Sequence, residues 1–198
     1  CSQIWEHKGN PAGQRLTANR TIESFYKWSG GGRIPIFCDT TSCTHTLLFE
    51  TGGDILTPEN REKYKQLKIM DITQWLKEVV LPRIKVIRPK NRILLHPTCS
   101  CQIMGLTPVL LDIARKCARE VILPDNWGCC GASGDRGFIF PELSDSATRD
   151  ERDEIGHESF DGCYSLARTC EIAMQDHIEQ PYESIVYLVD ETIQDQGT

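Results

Sequence analysis

The sequence predicts an α/β fold of two pseudo-repeated βαβ-type halves, with cysteines at the carboxyl ends of parallel strands. Three observations predict it. Short β-rich runs alternate with helix-like segments through the middle of the chain; several of those runs end on a cysteine; and the same order of marks occurs twice. At 198 residues, with 39% hydrophobic and 25% charged residues, the chain is large enough for one substantial core. The expected halves are 1–90 and 91–198, packed as one unit. Because the chain starts at Cys1 rather than Met, inside a motif, it is expected to be the C-terminal segment of a longer polypeptide.

In chain order, 33–37 reads as a short strand that ends on Cys38, with Cys43 just beyond. A connection over roughly residues 51 to 70 reads as loop through Gly52-Gly53 and Pro58-Glu59-Asn60. The amphipathic stretch 72–79 closes the first half. Residues 92–95 form a buried strand ending in His96-Pro97-Thr98-Cys99. Thr107 then caps a helix with Pro108 at its first position and Leu110, Ile113, Ala114, Cys117 and Ala118 along one face. Residues 120–123 make the next strand, stopped by Pro124-Asp125-Asn126. A strand, helix and strand of these lengths make a right-handed unit with parallel strands.

Directly after that strand comes NWGCCGASGDRGF, residues 126–138, with a helix beginning near Asp135. The mixed-charge run 145–154 reads as a solvated helix face. Residues 160–165 lead to Cys170, which opens a helix over 171–178, and 185–191 closes the second half. The repeat rests on CSQIWEHKG against CGASGDRG, on Ser42-Cys43 against Thr169-Cys170, and on the two closing amphipathic segments.

A formal charge of −6 with no Lys/Arg-rich run gives no electrostatic footprint for nucleic acid or an anionic membrane surface. No apolar run is long enough to span a bilayer, and no stretch reads as a secretory leader.

Ten cysteines therefore call for a chemical explanation. Cys117 shares its helix face with apolar residues and reads as a packed, inert thiol. Cys101 and Cys163 stand near candidate ligands without counterparts in the other half. Cys99, Cys129, Cys130 and Cys170 fall on loops of one expected sheet edge, where open α/β sheets bind ligands; they are the expected metal or cluster ligands, with Cys1, Cys38 and Cys43 as weaker candidates. Zinc sites usually use a close Cys-x2-Cys knuckle, which the chain lacks. Iron–sulfur clusters accept thiolates from scattered loops. Gly128, Gly131 and Gly134 would let backbone N–H groups approach the cluster, and the helix near Asp135 would add its dipole. His96 is placed to donate a hydrogen bond to a cluster sulfur or to satisfy a loop carbonyl. The glycine order does not match a nucleotide-binding fingerprint, and Arg136 and Lys8 read as anion contacts or solvated helix starts.

Cys99, then Cys129-Cys130-Gly131, then Cys170, with an earlier degenerate copy around Cys1 and Cys43, resembles the cysteine-rich CCG domain of iron–sulfur oxidoreductases. That group includes the B subunit of heterodisulfide reductase and the iron–sulfur subunit of glycolate oxidase. HPTCS, CCGASGDRGF, FPELSDSATR and RTCEIAM are closer to the C-terminal region of FAD-linked iron–sulfur D-lactate or D-2-hydroxyacid dehydrogenases. The resemblance implies an electron-transfer domain holding a 4Fe-4S cluster, not catalytic alone. It also implies FAD-binding and ferredoxin-like domains as partners in the same longer chain, a separate electron acceptor, and a cytoplasmic location or a peripheral one at the inner face of the membrane. The family's fullest motif ends in Cys-x2-Cys; here Ala167 stands three residues before Cys170, leaving four thiolates. The competing readings are a metal-free thiol/disulfide redox module and a structural zinc-binding interaction domain.

Overall fold

A computed structural model describes residues 2–193. It is α/β with parallel sheets, and the chain divides into two compact units, Cys1–Ile72 and Thr73–Thr198. The division falls at 72/73, where the sequence placed it near residue 90. Residues 73–90 lie with the second unit because the turn Leu76–Val80 packs on a helix of that unit.

The first unit runs α1 (Gln3–His7), α2 (Pro11–Trp28), β1 (Ile36–Cys38), α3 (Thr41–His45), a π turn over Thr46–Glu50, α4 (Pro58–Gln66) and β2 (Ile69–Asp71). Asn10 caps α2, its side chain accepting from the Gly13 N–H at 2.9 Å, and Pro11 opens the helix. β1 and β2 pair in parallel, Ile36 opposite Ile69 and Cys38 opposite Asp71. The connection expected as loop contains α4. Thr57 and Pro58 are a cap and a first-turn proline, so the residues that look like loop breakers are the helix start itself. A small core of Ala18, Ile22 and Leu56 holds α2 near α4, and the Asn60 amide, bonded to Asn19 Oδ1 at 2.9 Å, ties the two helices together.

From the division onward come α5 (Ile72–Trp75), β3 (Lys90–Leu95), α6 (Cys99–Ile103), α7 (Thr107–Cys117), β4 (Ala118–Ile122), α8 (Arg136–Ile139), α9 (Pro141–Ile155), β5 (Gly162–Ser165), α10 (Arg168–Ile178), β6 (Tyr182–Ser184) and α11 (Ile185–Thr192). β3 to β6 form one sheet in the order β4-β3-β5-β6, every pair parallel. Register decides which side chains meet. Leu94, Cys163 and Tyr182 lie abreast on three strands and share a core cluster with Met174 and Ile178 of α10 and Ile155 of α9. Ile93, Leu95 and Tyr164 alternate to the other face, and α7 packs with α11. β3 connects outward to β4 and β5 outward to β6, so right-handed crossovers put α7 and α10 on opposite faces. The order therefore reverses between β3 and β5.

Thr107 is the first residue of α7 and makes no cap hydrogen bond; its hydroxyl lies 3.9 Å from the Cys101 sulfur instead. Of the expected face, Leu110, Ile113, Ala114 and Cys117 are all fully buried, whereas Ala118 lies past the helix end as the first residue of β4. Leu110→Ala is expected to cost about 2–5 kcal/mol in denaturant unfolding, the range for an emptied leucine site.

In the first unit β1 leads to α3, whose third residue is Cys43, and in the second β5 leads to α10, whose third residue is Cys170; the parallel partner of β5 follows α10 directly, whereas the π turn and α4 stand between α3 and β2.

Candidate functional site

β3, β4 and β5 all point the same way, so the loops after them share the carboxyl edge of the sheet. Cys99 opens α6 after β3, Cys129 and Cys130 follow β4, and Cys170 lies in the first turn of α10 after β5. The edge between β3 and β5 is the switch point, the usual ligand site of an open α/β sheet. Four thiols from three loops converge there. The Cys130 S–H donates to the Cys170 sulfur at 2.9 Å, too long for a disulfide of about 2.05 Å. Cys129 accepts hydrogen bonds from the thiols of Cys130 and Cys99, which connects the whole set.

Backbone amides face the same sulfurs. The Gly131 N–H donates to Cys129 Sγ at 3.4 Å, the Ser100 N–H bonds Cys99, and the Ala132 N–H bonds Cys130. Two of these come from the glycine-rich loop, which turns back on itself through positive φ at Gly131 (73°) and Gly134 (75°). A side chain at Gly131 would put its Cβ 2.6 Å from the Leu143 carbonyl oxygen, so the loop is pressed against α9. The helix expected to begin near Asp135 is the single turn α8, and Gly131 and Ala132, whose N–H groups face the sulfurs, belong to the loop before it.

Charge is unevenly shared among the thiols. Donation from Cys130, then from Cys99, holds the Cys129 thiol far below its ordinary range, as a thiolate. Cys99 is pushed up chiefly by bonding to Cys129, and Cys130 by bonding to Cys129 and then to Cys170. The negative charge thus sits on Cys129, while Cys99 and Cys130 keep their protons. Cys129 and Cys99 are exposed, whereas Cys130 and Cys170 are buried in the cluster with Ala132 and Met174. Among the described residues no three His, Cys, Asp or Glu side chains surround a point as one metal ion requires. The thiols succeed one another in a row instead, from Cys99 through Cys129 and Cys130 to Cys170.

His96 ends the run after β3, with its ring buried. Its Nδ1 lies 2.9 Å from one carboxylate oxygen of Glu151 and 3.1 Å from the other. Glu151 is the residue that sequence reasoning missed. It belongs to the run expected as a solvated face, yet it is 1% exposed, on the buried stripe Ser144, Thr148, Glu151, Ile155 of α9. That i, i+4, i+7, i+11 spacing was the available signal.

The remaining cysteines separate by location. Cys117 and Cys101 are fully buried, and Cys163, on β5, is pushed up to about 12 by burial. Cys38 and Cys43 are half-buried in the first unit; burial, then the neighbouring Cys43, raises Cys38 to about 11. Cys1 lies outside the described residues. The run-in to the loop is held by Glu154 of α9, whose carboxylate accepts from the Asp125 and Asn126 N–H groups at 2.7 and 2.8 Å. Those bonds, that from Asn126 first, lower its pKa. A lowered folded-state pKa means the contact is fully present above the ordinary carboxylate range and lost as pH falls through the folded value. Glu154→Gln is therefore expected to speed amide exchange at Asp125 and Asn126 several-fold at neutral pH, and acidification below about pH 4 to bring the parent toward the variant.

Comparison of the chain with models of known protein families and with curated proteins gives no match. Among the described residues no helix is long and apolar enough to cross a membrane.

Proposed function

We propose that this chain is the iron–sulfur electron-transfer part of a flavin-linked D-lactate or 2-hydroxyacid dehydrogenase. It relays electrons from FAD, bound elsewhere in the full protein, to a quinone, cytochrome or other acceptor in the cytoplasm or at the inner face of the membrane. The observation that carries the reading is the convergence of Cys99, Cys129, Cys130 and Cys170 at the switch point, with backbone N–H groups aimed at three of the sulfurs.

Four thiols are the donor set of a 4Fe-4S cluster, which when bound would supply one-electron transfer. Cys99, Cys129, Cys130 and Cys170 would hold it as thiolates, with any thiol protons going to solvent on loading. The Ser100, Gly131 and Ala132 amides would stabilise negative charge on sulfur. Buried Cys130 and Cys170 exclude water from the inner side, while exposed Cys99 and Cys129 leave an outer side open to a partner. Exposed Phe138, Ile139, Phe140 and Leu143 follow the loop directly and give such a partner apolar surface. The test is anaerobic reconstitution followed by iron and sulfide analysis and an absorption spectrum: about four irons and four sulfides per chain with a charge-transfer band supports the reading, and colourless, iron-free protein overturns it.

One observation favours a second reading, a thiol/disulfide module. The Cys130 and Cys170 sulfurs are 2.9 Å apart, and closing them into a disulfide would release two protons and pass two electrons to a disulfide oxidant. Iron-free protein with two thiols lost reversibly on oxidation is the result it requires.

A further inference from the structure

A cavity of about 210 Å³ lies within the second unit, between α8, the start of α9 and α10. Phe138, Pro141 and Ala173 give it apolar walls, and Ser144, Asp176 and His177 are its polar residues. It adjoins the thiol site. Ala173 follows Cys170 by three residues on α10, a spacing that puts them on one face, and both belong to the same core cluster. Gly137, also in the wall, rests on the thiol loop: a Cβ there would stand 2.8 Å from Ala132 Cα and 3.1 Å from the Gly131 carbonyl oxygen.

Ser144 marks what the cavity takes. It is 1% exposed, and its hydroxyl has no partner in the protein. That hydroxyl turns toward the wall at Gly137, 2.5 Å from the position a Cβ would take there. Native proteins leave few buried hydroxyls unpaired, so one that lines a cavity is the place for a ligand atom. Size and charge narrow the ligand. An apolar cavity of about 150 Å³ is enough to hold benzene, whereas sites for drug-sized ligands begin at about 300 Å³, so this one admits a single substituted ring and excludes a nucleotide. The exposed Asp176 carboxylate disfavours an anion, and Arg152, which donates to the His177 carbonyl at 3.3 Å, is already paired with Asp145 at 2.9 Å. A neutral ring bearing a carbonyl or hydroxyl oxygen fits these walls, with its face on Phe138 and its oxygen on Ser144. Exposed Ile139, Phe140 and Leu143 adjoin the wall residues in sequence and continue the apolar surface for a chain carried by the ring.

We propose that the cavity beside Cys170 binds the ring of a quinone, with the Ser144 hydroxyl donating to a ring oxygen and Phe138 stacking on the ring. For its purpose the site rests on the electron-transfer reading, in which the ring is the acceptor. Its two carbonyls become hydroxyls by taking two electrons, in succession, from the cluster, which reduced flavin elsewhere in the full protein refills, and two protons from solvent. Binding itself needs no cluster.

The experiment is an anaerobic titration of reduced, metal-free protein with trimethylhydroquinone, which neither oxidises nor alkylates thiols, followed by backbone amide NMR. Saturable shifts at Phe138, Ser144 and His177 are expected, with a Kd of roughly a millimolar for a ligand of this size. Ser144→Ala is expected to weaken binding roughly tenfold without lowering the unfolding midpoint, since it removes an unpaired hydroxyl, and Phe138→Ala to weaken it several-fold. Ile103→Ala, at an exposed position on α6, is expected to bind as the parent does. Absence of saturable shifts, or parent-like affinity in both Ser144→Ala and Phe138→Ala, overturns the proposal. So does a Ser144→Ala variant distinctly less stable than the parent, which would give the hydroxyl a structural role. In reconstituted, dithionite-reduced protein, duroquinone is expected to reoxidise the parent faster than Ser144→Ala, and equal rates overturn the acceptor role. Binding by a parent that takes up no iron overturns the electron-transfer reading and leaves the quinone site standing; iron uptake without binding does the reverse.

Discussion

Cys130→Ser is expected to lower the iron content of anaerobically reconstituted protein roughly tenfold or more, whereas Cys117→Ser leaves it at the parent level. Cys130 is the middle of the thiol row, bonded on one side to Cys129 and on the other to Cys170. A serine there gives a neutral hydroxyl where soft iron requires a thiolate. Cys117 is as deeply buried and its thiol is also raised, by burial, yet it sits on the α7 face and its neighbour is the Thr192 hydroxyl. Its replacement is expected to cost stability only, about 1–3 kcal/mol for a hydroxyl placed in a packed site. Equal iron in parent and Cys130→Ser, with loss in Cys117→Ser, would reverse the assignment of ligand and core cysteines.

The second large effect is expected from Gly131→Ala. At φ 73° any side chain is strained, by roughly 1–2 kcal/mol. The added Cβ would also stand 2.6 Å from the Leu143 carbonyl oxygen and 2.7 Å from Ser144 Cα, both backbone atoms of α9 that cannot rotate away. Overpacking of this kind costs about 1–3 kcal/mol more. The loop must lift from α9, and the amides of residues 131 and 132 then lose their aim at Cys129 and Cys130. Both unfolding midpoint and iron retention are expected to fall. Gly128→Ala is the control, since a Cβ there meets no atom within 4 Å and φ is not positive. Equal stability of the two variants would show that the loop does not rest on α9.

What was legible in the sequence was whatever long periodicity or repeated order records. The strand read over 92–95, two residues short of β3, and most of the α7 face were readable because burial on a regular element leaves a pattern. β5 and β6 were not. Four and three residues are too few for alternation to register, and Gly162-Cys163-Tyr164-Ser165 looks like loop until Ile93 and Leu94 supply its neighbours. α4 was hidden for the opposite reason, because Pro58 signals a break and a helix start equally well. Glu151 was concealed by the charges around it: Arg149, Asp150 and Asp153 are solvated, and only the buried stripe of α9 sets it apart. Its partner His96 was singled out, but that the two meet across 55 residues is a fact of folding alone.

The parallel sheet also sets a birth order for the thiol site. The Ser165 hydroxyl reaches the His96 carbonyl across 69 residues of chain, and the Cys130 sulfur meets that of Cys170 across 40. During synthesis at about 5–20 residues per second, Cys99 waits on the order of ten seconds before Cys170 is made. Neither a hairpin nor a single helix can bring them together early, and non-local pairing is the slow part of folding. The amide-lined edge is thus finished with the last crossover. Nascent chains carry their cysteines as dispersed thiols, so under the proposed function insertion of iron and sulfide would follow translation.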